Sequence, residues 1–560
     1  MGSGRLGIAL SAFGLVGCED FREGDPRANE WLASCPAAPP AATAPTPNAR
    51  CEDAPARLIG PLAGSRVTGG RVRLRWELPP GADGAELVLC DRRACDGAVR
   101  RQLVNGTDAL PLYGAREGRA VYWRVSPRRR GAPCGRDSAV WWYTPEPGSA
   151  CGEGKAWRVA ADGNNDGVPD FIASGHTALR VYVYHGGRNG LSTPQEIEQN
   201  EVGSQFGTHI HIGDLDGDGR QELVTPTIRP PPRGDDRSTV WVYRGASGWR
   251  SDDTVELTDT RAETRRDVGG VADLDGDGYG DVITTAFLDG SAGPQHVEVL
   301  FGGPDVALSR RVIALRNAGV RTDIVGVIDV NNDGQDDLLV PVARGVYHVY
   351  VNRSGSFPAS PDVVLDHVGD QSIVGNSFAL SRVAGDFNGD GALDLIVFRS
   401  GEFLVVVYGQ RGRMPNFDDY TQPLPPLVLR GIMPGFPGFP LTGDFTGDGL
   451  TDLVIAPSLW VQPATTSSNL LLFPGSSGGL RTQPLAPIWV PDGAVSGATA
   501  GDYDGDGTLD LAAADHTWND NRGRGYWFRG RRGADAWVER VPGYLTRRDM
   551  DQARFGFNSW

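Results

Sequence analysis

The sequence predicts an all-β chain: a seven-bladed β-propeller preceded by a small β-sandwich. A nine-residue acidic loop recurs seven times, its first aspartates 52, 59, 56, 57, 58 and 58 residues apart, and a period of that length marks a repeat architecture. Short alternating strands fall at matching places in each period, and no long amphipathic helical pattern occurs. Glycine (77) and proline (40) are abundant, as many tight turns require.

At 560 residues the chain exceeds one ordinary core, so two or more domains are expected. Residues 1–18 read as a signal segment. Arg5 supplies the positive start, and the apolar run Leu6 to Gly17 is too short to span a membrane as a mature helix. Leu15-Val16-Gly17-Cys18 resembles a bacterial lipobox. That resemblance implies a diacylated Cys18 and a lipid anchor in the cell envelope, at the outer membrane or cell surface; an ordinary secretory signal is the alternative. Residues 19–55 form a Pro/Ala-rich tether, semi-extended from Pro36 to Pro47.

Residues 56–148 read as the β-sandwich, with alternating strands at Val72–Trp76, Glu86–Leu89, Val121–Val125 and Val140–Tyr143. They resemble a fibronectin type III or immunoglobulin-like module, and a spacer role is expected. Without Cys18, six cysteines remain, all before the repeats. Export permits disulfides: Cys90–Cys95 as a hairpin closure, Cys35–Cys51 in the tether and Cys134–Cys151 between sandwich and repeats. Six cysteines allow 15 pairings, so these stay open, with a zinc site as the alternative.

Residues 152–560 hold the repeats. Loop 1 offers Asp162, Asn164, Asp166 and Asp170; loop 2, Asp214, Asp216, Asp218 and Glu222; loop 3, Asp273, Asp275, Asp277 and Asp281. Loop 4 offers Asp329, Asn331, Asp333 and Asp337; loop 5, Asp386, Asn388, Asp390 and Asp394. Loop 6 offers Asp444, Thr446, Asp448 and Asp452; loop 7, Asp502, Asp504, Asp506 and Asp510. These are positions 1, 3, 5 and 9, with glycine at position 6. The spacing turns alternate oxygens inward around a hard cation, and Ca2+ fits best because it accepts six to eight oxygens in a flexible cage. The formal charge of −16 has the same source. Seven Ca2+ would bring the chain near neutrality, and with no basic stripe nucleic-acid binding is not expected.

Each unit follows one recipe. A small residue precedes the loop (Gly213, Ala272, Gly385, Gly443, Gly501), and two aliphatic residues usually follow it (Leu223-Val224, Val282-Ile283, Leu395-Ile396, Leu453-Val454). Then comes an alternating strand ending near a glycine, as in Val181-Tyr-Val-Tyr-His-Gly186 and Val240-Trp-Val-Tyr-Arg-Gly245. With a further weak strand, each unit has the four strands of a propeller blade.

These units resemble FG-GAP/VCBS repeats, the calcium-binding propeller type of integrin α-subunit heads and bacterial surface proteins. Phe206-Gly207 matches the motif's first element, the Asp-x-Asp/Asn-x-Asp-Gly-x-x-Asp loops its core, and the Val-x-Val-Tyr-x-Gly strands its later part. The resemblance implies that each loop joins the first two strands of a blade and binds one Ca2+, up to seven in all. Thr446 removes a charge from loop 6, and Gly163 replaces an apolar second residue, which predicts a looser first blade. The segment Ala553 to Trp560 resembles the start of an eighth repeat and is expected to help close the ring.

Other candidates are thinner. His209 and His211 share a strand face as a possible metal pair, although packed histidines are the commoner case. Arg233-Gly234-Asp235 matches a tripeptide that integrins recognise. Tyr182, Tyr184, Trp241 and Tyr243 read as blade core rather than sugar platforms. No Ser/His/Asp elbow, HExxH or phosphate loop occurs. The expected function is a surface-anchored, non-enzymatic and monomeric binding or adhesion module for a protein or glycan. A polysaccharide lyase or hydrolase and a passive scaffold are the alternatives.

Overall fold

The computed structural model describes residues 52–545 with interruptions, those of ten residues or more at 110–119, 228–238, 315–324, 366–383, 416–425, 456–468 and 532–542. Cys18, Cys35, Cys51, Cys151, the tether up to residue 51, residues 233–235 and residues 553–560 lie outside the described residues. Among the described residues the chain is all-β, with two short 3-10 turns as its helical elements. No helix there is long and apolar enough to cross a membrane.

Seven sheets follow one another from residue 171 to 545. Sheet 1 has three strands, Phe171–Gly175, Arg180–Tyr184 and Gln195–Glu198. Sheets 2 to 7 are antiparallel meanders of four, taken in chain order. Sheet 2 shows the plan, with His211–Gly213, Glu222–Thr227, Thr239–Tyr243 and Thr254–Thr258. In each of sheets 2 to 7 the acidic loop joins the first two strands.

The paired aliphatic residues after each loop explain how the sheets stack. Successive strand residues face opposite sides of a sheet, so the pair sends one side chain into each flanking interface. Leu223 packs with Ile172 and Val183 of sheet 1, whereas Val224 packs with Val268 and Val282 of sheet 3. Ile283 meets Leu338 and Val340; Leu395 meets Leu339 and Val349. Leu453 meets Ile396 and Val406, and Val454 meets Leu511 and Tyr526. The last interface closes the ring: Ala512 and Tyr503 of the final repeat pack on Phe171, Tyr182 and Tyr184 of sheet 1, and the Gly187 N–H donates to the Tyr503 carbonyl at 2.8 Å. Sheets stacked face to face around a closed ring form a β-propeller. The glycines before the loops are forced by the neighbouring sheet. A Cβ at Gly213 would lie 2.4 Å from Val271, at Gly385 2.4 Å from Thr451, and at Gly443 2.5 Å from Leu509.

Before the ring, a three-stranded sheet (Arg57–Gly60, Leu74–Glu77, Asp108–Ala109) faces a seven-stranded one across a core holding Trp76, Trp123, Trp141 and Trp142, all fully buried. Cys90 and Cys95 form a disulfide with a Cα–Cα distance of 5.1 Å; Cys134 is also disulfide-bonded.

Two expectations are corrected here. Among the described residues sheet 1 has three strands, and the strand leading into loop 1, Lys155–Val159, pairs antiparallel with Ser65–Thr68 of the sandwich instead. That sandwich strand has its other edge taken by Trp141–Glu146, and its free edge captures the incoming chain, since an unpaired ladder edge is a template for another strand. Nor is the first repeat loosened at Gly163. A Cβ there would lie 2.5 Å from Trp249, whose fully buried indole fills the space and donates from Nε1 to the Gln221 carbonyl at 2.6 Å.

Candidate metal centres

The loops form because position 4 must reverse the chain. Asn165, Gly217, Gly276, Asn332, Gly389, Gly447 and Gly505 occupy that position, with φ between +57° and +76°. Only glycine, or asparagine among side chains, adopts this left-handed region readily. The reversal folds the loop's N–H groups onto the position 1 carboxylate. Asp214 accepts from Gly217 and Gly219 at 2.7 and 2.9 Å, and Asp386 accepts from Gly389, Asp390 and Gly391 at 2.7, 3.0 and 2.8 Å.

Carboxylate oxygens then converge. In three loops one ligand atom from each of three residues lies within 4.8 Å of the others: Asp214, Asp216 and Asp218; Asp273, Asp275 and Asp281; Asp502, Asp504 and Asp510. These are the loops with aspartate at position 3. In loops 1, 4 and 5 an asparagine stands there, and its amide donates to the position 5 carboxylate at 2.9–3.0 Å (Asn164 to Asp166, Asn331 to Asp333, Asn388 to Asp390). A hydrogen bond thus replaces a like-charge contact. Thr446, in loop 6, is buried with a hydroxyl that has no hydrogen-bond partner. Asp506 lies outside the described residues.

Position 9 does something that spacing alone does not show. In all seven loops its carboxylate is buried and accepts two backbone N–H groups at 2.6–3.0 Å. One comes from the start of the loop, at position 2, or from Thr446 at position 3 in loop 6. The other comes from a residue one or two places past the alternating strand that follows the loop's own strand: Gly186, Gly245, Gly302, Asn352, Gly409, Gly475 or Gly530. The carboxylate therefore ties loop to strand besides being a candidate ligand. The glycine ending six of the seven alternating strands was the signal that could have found this. A Cβ at Gly409 would lie 2.0 Å from the Leu393 carbonyl, and one at Gly530 1.9 Å from that of Leu509.

Burial raises the pKa of every position 9 carboxylate and of several position 1 carboxylates. Glu222, Asp281 and Asp510 are pushed up to about 8, and Asp337 and Asp452 to about 7. Asp162 reaches about 7, from burial and then from Asp170 and Asp166; Asp214 rises well above the usual range, from burial and then from Glu222, Asp218 and Asp216. Acidic groups held this way want positive charge. The protein supplies some of its own: His185 Nδ1 lies 3.0 Å from Asp170, and Arg529 pairs with Asp504. The remaining donors are hard oxygens at short mutual distance, a set suited to a hard divalent cation.

The other candidates resolve differently. His209 and His211 are buried, His211 Nε2 lies 3.0 Å from the Val268 carbonyl, and neither histidine joins a metal-ligand group among the described residues. Tyr182, Tyr184 and Tyr243 are buried in the cores, with Trp241 packed against one of them.

Comparison with known proteins agrees with the loops. The FG-GAP-like repeat model matches residues 162–225, 329–397 and 444–513, so the chain carries FG-GAP-like repeats. It is 30% identical to integrin alpha-4 of Xenopus laevis over 151 residues, 24% of this chain and 14% of that protein. It is 28% identical to human integrin alpha-11 over 186 residues, 31% of this chain and 15% of that one. The chain thus spans about one seventh of the length of these relatives. Among solved structures, BBS1N in complex with ARL6DN, soaked with lead, aligns with a TM-score of 0.39 at 12% identity, over 67% of this chain and 92% of that one.

Proposed function

We propose that this propeller of FG-GAP-like repeats is a calcium-dependent binding or adhesion module, held at a bacterial cell surface through a lipid on Cys18. The observation that carries the reading is the recurrence of one loop geometry in seven successive repeats, each with its first carboxylate folded over by N–H groups or set among other carboxylates. Positions 1, 3, 5 and 9 would hold Ca2+ in each loop, with the Thr446 hydroxyl as the position 3 donor of loop 6. Bound Ca2+ neutralises the clustered carboxylates and cross-links the loop; it supplies no chemistry. The role is therefore structural, and partner specificity belongs to the segments between repeats. A protein or a glycan is the proposed partner, and the chain acts without catalysis.

Isothermal titration of the EDTA-treated chain with CaCl2 tests the metal. Absence of heat and of any thermal shift would overturn it. A glycan array read with and without Ca2+ separates a lectin from a protein binder. Acyl labelling with and without Cys18→Ser tests the anchor.

A further inference from the structure

Among the described residues, loops 1, 2 and 3 touch the sandwich. In loop 1 the Asp166 carbonyl accepts from the Tyr122 hydroxyl at 3.2 Å. In loop 2 the Gly217 carbonyl accepts from Trp141 Nε1 at 3.3 Å, and the Gly219 carbonyl from Arg93 Nη2 at 3.1 Å. At loop 3 the Arg57 guanidinium lies 5.6 Å from the centre of the Tyr279 ring. Gln221 knits the joint: its amide nitrogen donates to the carbonyls of Ala160 (2.7 Å) and Ala63 (3.4 Å), and its oxygen accepts from the Asp162 N–H at 2.9 Å. The packing leaves no room at position 6. A Cβ on Gly167 would lie 1.7 Å from the Tyr122 hydroxyl, on Gly219 2.4 Å from the Val140 carbonyl, and on Gly278 2.3 Å from the Leu58 carbonyl; on Gly334 of loop 4 it would meet nothing within 4 Å.

The kind of contact matters more than the number. These hydrogen bonds from sandwich side chains end on loop backbone carbonyls. Such an interface reads the shape of the loops through their carbonyls, while the Arg93 and Arg57 guanidiniums act at longer range on the charges of Asp162, Asp218 and Asp277. The carbonyls it reads belong to positions 4, 5 and 6, the segment that wraps the position 1 carboxylate. Without a cation the carboxylates of that segment repel one another at short range, and relieving the repulsion moves the carbonyls with them.

We propose that cation-filled loops 1–3 are the docking platform of the sandwich, so that divalent cation binding locks the sandwich to the ring and cation removal releases it. This rests on the cation reading above. The sandwich is then a cation-sensing part of the module and not a spacer.

Hydrogen exchange on the full chain in CaCl2 and in EDTA tests the lock. The segments to follow are 63–68 and 138–143 in the sandwich, Ala160 at the joint, and the open loops 4–6. Cation removal should speed exchange at the joint by about tenfold, the factor for one site with Ca2+ at ten times a sub-millimolar Kd. Asp216→Asn with Asp218→Asn, in loop 2, should reproduce that release in CaCl2. Asn388→Ala with Asp390→Asn, in loop 5, should leave the sandwich protected. Tyr122→Phe removes a docking hydrogen bond without touching a loop and should speed exchange at the joint even in CaCl2. Unchanged sandwich exchange in EDTA, while loops 4–6 loosen, would overturn the lock and leave the cation reading standing. Equal release by the loop 5 pair would also overturn it. No response to Ca2+ anywhere in the ring would overturn the cation reading and the lock together.

Discussion

Loop 2 and loop 4 show one nine-residue pattern in two settings. In both, position 4 has positive φ, N–H groups fold onto the first carboxylate, and the last carboxylate ties loop to strand. Outside that shell they part. Loop 2 lies beneath the sandwich, its Gly217 and Gly219 carbonyls taken by Trp141 and Arg93. Loop 4 turns to the next repeat: the Asn332 amide donates to the Leu393 carbonyl at 3.1 Å and its oxygen accepts the Leu393 N–H at 2.6 Å. The inner face of the loop is generic, and the outer face is assigned by whatever packs on it.

The largest way to break that comparison is to remove the cation from both settings. If each of seven sites contributes roughly 1.4 kcal/mol, EDTA should lower ring stability by on the order of 10 kcal/mol. Calorimetry with and without CaCl2 reads this directly, and coincident transitions would show that no loop is clamped.

Next comes the filler of the first repeat. Trp249→Ala should cost about 3–5 kcal/mol, because it empties a fully buried site against Gly163. Denaturant titration measures it; a cost under about 1 kcal/mol would mean that the repeat collapses around the gap.

The sharpest test of covered against open uses one substitution twice. Gly219→Ala and Gly334→Ala share the penalty of a left-handed backbone, about 1 kcal/mol. Gly219→Ala also drives a methyl into the Val140 carbonyl, so it should cost about 1–3 kcal/mol more. Equal costs would mean that the sandwich does not press on loop 2.

Within one loop, Asp394→Asn and Asp390→Asn should separate the two carboxylate roles. Asp394 accepts the Phe387 and Gly409 N–H groups, so its loss should cost about 1–3 kcal/mol even in EDTA. Asp390→Asn keeps one acceptor oxygen for the Ala392 N–H, so it should cost less than Asp394→Asn in EDTA and more in CaCl2 than in EDTA.

The comparison is sharpened further by the pH dependence of the metal-free chain. Burial raises Glu222 and Asp281 to about 8 and Asp337 to about 7 in the folded state, well above the ordinary carboxylate range of the unfolded chain. The folded state therefore holds more protons than the unfolded chain between those limits. Its stability is fully present below the unfolded pKa and is lost as pH rises through the folded one. In EDTA the melting temperature should fall from pH 5 towards pH 8; in CaCl2, where protons compete for the ligands, the trend should reverse. A flat profile in EDTA would show that the loops relax enough to rehydrate their carboxylates.

Much of the ring was legible in the residues because its signals are local. Spacing within nine residues sets the loop, alternation sets the strands, and the aliphatic pair after each loop supplies both faces of a sheet. What escaped depends on groups far apart in sequence. Trp249 fills the space over Gly163 from the next repeat, and nothing near Gly163 announces it. The position 9 carboxylate read as a ligand alone, because its second N–H partner comes from a strand fifteen or more residues on.

The sequence by itself thus determined the repeat, its period and the inner shell of every loop, since each follows from φ, side-chain alternation and donor type over a few residues. Only the tertiary structure decided which loops are covered. Gly167, Gly219 and Gly334 carry the same residue at the same loop position, yet the first two touch Tyr122 and Val140 while the third meets open space. That difference comes from a strand, Lys155–Val159, taken from the first repeat by the sandwich. An edge contact of that kind is written in the geometry of two folded domains and not in the nine residues of any loop.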